Sequence, residues 1–135
     1  MSEEDALPAG FEKLVSRSPF VQASGTFYQR QAPGGALVVG TRVGPAQANA
    51  EARAHGAFLL TLADFALSVA TYGITLSLSS DFLRPAHVGD WVEAYVTVRK
   101  RGESVIFADA ILRSGTDELM RVSGLFSPFV KRPDP

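Results

Sequence analysis

His55 and Gly56 stand directly before an apolar run from Ala57 to Tyr72, and Asp64 sits in the middle of that run. A carboxylate among apolar side chains is costly unless it is paired or put to use. Asp64 therefore marks a candidate site, weighed against a purely structural carboxylate that is exposed or caps neighbouring backbone. Gly56 lies where a helix would begin, so its N–H has no partner within the helix and carries the positive end of the dipole. A glycine also lets a ligand oxygen approach without a side chain in the way. Together the two residues offer a donor for a carbonyl oxygen becoming an oxyanion, and an acid residue for the attack on its carbon.

Spacing along the run gives the site a shape. Thr61, Asp64, Ser68 and Thr71 recur at intervals of three, four and three. At about 100° per residue they fall within an arc of about 80°, one narrow polar seam. Phe58, Leu59, Leu62, Phe65, Ala66 and Val69 make the remaining surface apolar. Gly56 and Asp64 are about 12 Å apart along such a helix, at ~1.5 Å per residue. Reacting atoms must approach to about 3–3.5 Å, so these two groups cannot serve one carbonyl within one chain. Two chains about a twofold axis with antiparallel helices would bring Gly56 of one to Asp64 of the other. The expectation is a homodimer with two shared sites.

Composition narrows the chemistry. The chain has 135 residues, 46% hydrophobic and 20% charged, which suits one soluble globular domain spanning 1–135. A formal net charge of −1 provides no general attraction to nucleic acid or an anionic membrane. There are no cysteines, so disulfides, thiolate nucleophiles and Cys-based metal sites are excluded. With only His55 and His87 as histidines, no metal site and no cofactor are expected. The acidic start lacks a hydrophobic signal region, the residues before Phe20 are too few for a DNA-binding segment, and the apolar run is shorter than a membrane span. A cytoplasmic protein without membrane or nucleic-acid partners is the expectation.

The elements that must position the site follow from pattern. Residues 1–10 and 131–135 read as loose tails. Phe11–Ser16 reads as a short helix stopping before Ser18-Pro19, and Phe20–Arg30 as a strand. The turn Ala32-Pro33-Gly34-Gly35 leads into a partner strand, Ala36–Val43. The long helix spans Ala57 to Tyr72, with Gly73 as a left-handed stop. Beyond it, Ile74, Leu76 and Leu78 alternate with Thr75, Ser77 and Ser79. Trp91–Arg99, Ser104–Arg113 and Leu119–Val130 follow as strands joined by turns at Arg101-Gly102 and Ser114–Asp117. Trp91 and Tyr95 read as packing residues opposite Val92. Two strands, one buried helix and a four-strand meander amount to an α+β fold, a sheet wrapped around one long central helix. Apolar residues on both faces of the Ser104–Arg113 strand suggest that part of the outer face meets another subunit.

His55-Gly56-Ala57, Leu62-Ala63-Asp64, the stretch Ser79-Ser80-Asp81-Phe82-Leu83-Arg84-Pro85-Ala86 and Gly89-Asp90 together resemble the hotdog-fold acyl-CoA thioesterases. The likeness is to the phenylacetate-degradation type of the 4-hydroxybenzoyl-CoA thioesterase superfamily, over Asn49 to Phe129. It implies a five- or six-stranded antiparallel sheet around the helix, a dimer with one continuous sheet, and tetramers as dimers of dimers. It also implies Asp64 as nucleophile or general base, Gly56 as the amide polarising the thioester carbonyl, and His55 orienting that region. Asn49 matches a polar residue that holds the attacking water, and Thr75 a strand hydroxyl near the carboxylate. Where the family has a second glycine after the histidine, this chain has Ala57. Candidate substrate-binding residues are Thr61 and Ser68 on the seam, Phe58 and Phe82 at the pocket, and Arg84 for the CoA phosphates. Arg99, Lys100 and Arg101 are further phosphate candidates, each weighed against a solvated surface charge.

The implied activity is hydrolysis of a short- or medium-chain or aryl acyl-CoA to the free acid and CoA. Two other classes are compatible with the residues. One is a non-catalytic acyl-CoA-binding or regulatory module. The other is an enoyl-CoA hydratase, for which only His55 could supply the imidazole.

Overall fold

The apolar run after His55 forms a 16-residue helix, α2 (Gly56–Thr71), whose Phe58, Leu59, Leu62, Ala63, Phe65, Ala66 and Leu67 are buried. A computed structural model describes residues 7–129 of the chain. Before α2 come β1 (Glu12–Lys13), α1 (Pro19–Ser24), β2 (Phe27–Gln31), β3 (Leu37–Arg42) and a 3-10 turn at Pro45–Gln47. After it come β4 (Gly73–Phe82), β5 (Trp91–Arg101), β6 (Ile106–Ser114) and β7 (Asp117–Pro128). The strands form one antiparallel sheet in the order β1-β2-β3-β5-β6-β7-β4. Alternate residues of β5 and β6 face the helix, and the small side chains Ala94, Ala108 and Ala110 there leave room for it. The α+β layering read from the sequence is the observed one.

Both ends of α2 are held by other parts of the chain. At the N-terminus, the loop ahead of His55 is tied to the Leu83–Asp90 connection by Ala54 N–H to Ala86 O (2.8 Å) and Val88 N–H to Ala52 O (3.1 Å). At the C-terminus, Arg101 at the end of β5 donates to the carbonyls of Thr71 and Ala70, each at 2.9 Å. A cation there answers both the unpaired carbonyls and the negative end of the dipole. Arg101, named above among the phosphate candidates, is thus held at the end of the helix as a cap.

Several expectations are corrected. Phe11–Ser16 contains the short strand β1 rather than a helix, and the sheet has seven strands rather than five or six. Phe20–Arg30 is not one strand: Pro19–Ser24 is helical and β2 begins at Phe27. Ser18-Pro19 is a helix start, since Ser18 Oγ caps the Val21 N–H at 3.3 Å and the proline occupies the first turn, where its missing N–H costs nothing. The left-handed stop of α2 is Tyr72 (φ 51°), not Gly73. Gly73 is needed for a different reason: a Cβ there would sit 2.8 Å from Cβ of Phe126 on the paired strand β7. The last four strands are not a meander in sequence order, because β4 lies beside β7 at the sheet edge and the Leu83–Asp90 connection crosses back to β5. The strand alternation after α2 is interrupted by a bulge between Thr75 and Ser77. Of the tails, only residues 7–10 fall within the described part, and Val130 also lies outside it.

On the outer face Trp91 and Tyr95 are packing residues, as expected. Phe11 and Trp91 meet edge to face at 5.1 Å, with Tyr28 buried beside the indole. Glu93 accepts from Trp91 Nε1 at 2.8 Å and from the Tyr95 hydroxyl at 2.6 Å. That hydrogen bond, and then burial, raise the Tyr95 pKa above its ordinary value.

Arg101→Ala removes two hydrogen bonds at the end of the helix around which the sheet packs. The expected loss is about 1 kcal/mol of unfolding free energy, measurable by urea denaturation, with Arg101→Lys recovering part of it.

Candidate functional site

A pocket of about 400 Å³ opens along the seam of α2, with Thr61, Asp64 and Ser68 on one side and Thr75 and Leu78 of β4 on the other. Asp64 is half-buried, and its Oδ1 accepts a 2.5 Å hydrogen bond from Thr75 Oγ1. The bulge in β4 explains how Thr75 reaches it. An extra residue at Leu76 shifts the pleat, so Thr75 and Leu78 both line the pocket, although strict alternation would oppose them. Thr71, the last member of the expected seam, is buried instead; its hydroxyl donates to Leu67 O at 2.8 Å and accepts from Gly73 N–H at 3.1 Å. Thr61 lines the pocket while its hydroxyl donates back to Ala57 O at 2.8 Å.

His55 is the N-cap of α2. Its Nδ1 accepts from Ala57 N–H at 3.1 Å, so that nitrogen carries a lone pair and the ring proton lies on Nε2. Gly56 is the first helical residue, where no intrahelical acceptor exists for its N–H. The exposed ring of Phe82 covers one side of this glycine: a Cβ there would lie 3.2 Å from the ring. Eight residues of continuous helix separate Gly56 from Asp64, about 12 Å at ~1.5 Å per residue, so the two remain apart in one chain as expected.

Other candidates stand elsewhere. Asn49 is exposed, and its Oδ1 accepts from the N–H groups of Glu51 (2.9 Å) and Arg53 (3.2 Å), shaping the turn before His55. Phe58 is buried in the core against Phe27, with ring centroids 6.1 Å apart. Arg84 forms an exposed ion pair with Asp117 at 2.8 Å, and Arg99 one with Asp109 at 2.6 Å.

The pocket wall formed by Ser16, Ser18, Phe20 and Val21 of the α1 region has no counterpart among the expected site residues. The Ser18-Pro19 cap was the available signal for that helix, and nothing in the local pattern shows which surface it covers. Arranged this way, the pocket presents one carboxyl group to an otherwise largely apolar chamber beside a sheet edge. Such a chamber suits an apolar group attached to an electrophilic carbon.

A family model described as the Thioesterase superfamily matches residues 52–121. A Pseudomonas aeruginosa protein, provisionally named an esterase, is 37% identical over 128 residues, covering 89% of this chain and 96% of that protein. The TT0310 protein from Thermus thermophilus superposes with a TM-score of 0.75 at 28% identity, covering 84% of this chain and 100% of that one. A point mutant of a phenylacetic acid degradation protein from the same organism gives 0.74 at 26% identity, with coverage of 83% and 100%. A hypothetical thioesterase protein from Streptococcus pneumoniae, solved with coenzyme A, gives 0.73 at 18% identity over 91% and 98%, a likeness of fold alone.

The cap predicts the behaviour of His55 variants. His55→Ala should lower unfolding free energy by about 1 kcal/mol, while His55→Asn, whose side chain can also cap, should retain most of it. Chemical denaturation followed by circular dichroism checks both.

Proposed function

The chain belongs to the Thioesterase superfamily and is a hotdog-fold thioester hydrolase, and on that premise we propose that it cleaves a short- or medium-chain or aryl acyl-CoA at a site shared between two subunits. The observation that carries this reading is Asp64, held by Thr75 in the pocket next to β4, the terminal strand of the sheet. β4 is ten residues long and exposes Ile74, Leu76 and Phe82. A long, partly apolar sheet edge of this kind calls for a cover. Antiparallel pairing of β4 with its copy about a twofold axis would cover the edge, continue the sheet and set the two α2 helices side by side in opposite directions. The Gly56 end of one helix would then face the Asp64 segment of the other. The same reading allows two such dimers to associate.

In that arrangement the acyl group lies in the pocket, and the thioester oxygen accepts from the Gly56 N–H of the partner subunit as negative charge develops on it. Thr75 occupies Oδ1 of Asp64, so Oδ2 is the oxygen aimed at chemistry. It either attacks the carbonyl carbon or takes a proton from the water that does. By the first route the carbon–sulfur bond breaks to leave an acyl–Asp64 anhydride. A water then cleaves it to the free acid and the Asp64 carboxylate, one proton of that water ending on the CoA thiolate. By the second the water adds to the carbon, the carbon–sulfur bond breaks, and the proton taken by Asp64 passes to the thiolate. No cofactor takes part. His55 fixes the start of the helix, and Asn49 the turn ahead of it.

Two variants test the sharing. Asp64→Asn should cost at least about a hundredfold in thiol release from acyl-CoA. Gly56→Pro deletes the N–H at a helix position that accepts proline, and should cost about 10²–10³-fold. Each alone is nearly inactive. Co-expressed in equal amounts they should regain about a quarter of wild-type activity, since half the dimers carry one intact site of two. No recovery in verified mixed dimers would place both groups' work within one chain and defeat the shared site. Absence of wild-type hydrolysis over a broad acyl-CoA panel would defeat the acyl-CoA assignment.

A further inference from the structure

The chamber beside Asp64 ends on α1, and a second cavity of about 310 Å³ lies behind that wall. The two cavities have two lining residues in common, Ser16 and Val21. The rear cavity runs between the segment after β1 and the start of β2, and its lining includes the buried apolar side chains of Leu14 and Phe27. The front chamber approaches the partition along Leu60, Phe65 and Leu78. An apolar path thus leads from Asp64 to Val21, and beyond it the second cavity is mixed, with Leu14 and Phe27 beside Lys13, Gln22 and Thr26.

We infer that Val21 is the partition that limits the length of the acyl group, a specificity residue resting on the acyl-CoA reading above. Of the two shared residues, Ser16 is part of the local scaffold: its Oγ accepts from Ser18 N–H at 3.0 Å and its carbonyl from Gln22 Nε2 at 2.7 Å. The Val21 side chain has no such duty. Its backbone is fixed independently, by Ser18 Oγ on its N–H at 3.3 Å and by Ser24 Oγ–H on its carbonyl at 2.9 Å. A β-branched residue is stiff about χ1 and cannot swing aside freely, so it makes a firm stop. Trimming it to alanine leaves the cap and both hydrogen bonds in place and favours the helix. The two spaces would then join, and a longer acyl tail would pass from the front chamber into the rear one.

The experiment compares wild type, Val21→Ala and Val21→Phe in two assays. The first is thiol release from straight-chain acyl-CoA thioesters of stepwise length. The second is the affinity of non-hydrolysable S-alkyl-CoA thioethers of the same lengths. In wild type, affinity should rise by about fourfold per methylene and then level off when the front chamber is full. Val21→Ala should move that plateau, and the optimum of kcat/KM, to longer chains by several carbons; Val21→Phe should move both to shorter ones. An unchanged plateau in both variants overturns the partition, as does failure of every thioether to bind. Thioester hydrolysis that depends on Asp64 but shows no shift in length defeats the partition and leaves the function standing. A shifted thioether plateau without hydrolysis does the reverse.

Discussion

A helix that carries an acid residue through an apolar core must keep one face open, and the rest of this molecule is arranged around that constraint. The sheet encloses α2 with Val92, Ala94, Ala108, Ala110 and Leu112, all buried. The seam bearing Thr61, Asp64 and Ser68 is half-buried and opens on the pocket. Burying Asp64 fully would strand a charged or strongly polar group, and exposing it fully would dissolve the pocket. The structure holds it between these extremes with one hydrogen bond from Thr75.

Keeping that face open demands that the helix not rotate or slide. Its two ends are therefore tied to opposite parts of the fold. The Leu83–Asp90 connection braces the loop that delivers His55, and His55 closes the first turn through Nδ1. Arg101 closes the last turn from the end of β5. The chain order serves the same end. Placing β4 beside β7 leaves the strand that supplies Thr75 at the margin of the sheet, so the chamber beside Asp64 borders the sheet edge.

Much of this was legible residue by residue. The apolar run Ala57–Tyr72 is long and nearly unbroken, so α2 and its buried faces followed from composition and period alone. The hairpin strands β5, β6 and β7 followed from alternation and from turns at Gly102 and Gly115. The region before β2 departs from its sequence pattern because Pro19 starts a helix there and does not end one. Helix caps depend on which side of the proline the hydrogen bonds form, and the six residues of α1 have too few apolar positions to show a period. Tyr72 adopts the left-handed turn expected of Gly73, while Gly73 answers to the close approach of Phe126, a contact between residues far apart in the chain.

The identities and separations of His55, Gly56 and Asp64 were determined by the amino-acid order itself, because helix geometry converts eight residues into a fixed distance whatever surrounds it. Which strand borders the helix seam, where the bulge turns Thr75 toward Asp64, and that Phe20 and Val21 wall the pocket were decided only in three dimensions. Those features arise from pairings between residues far apart in the chain. Alternation states which face a side chain takes, but not which neighbour the strand will find or where the pleat will slip.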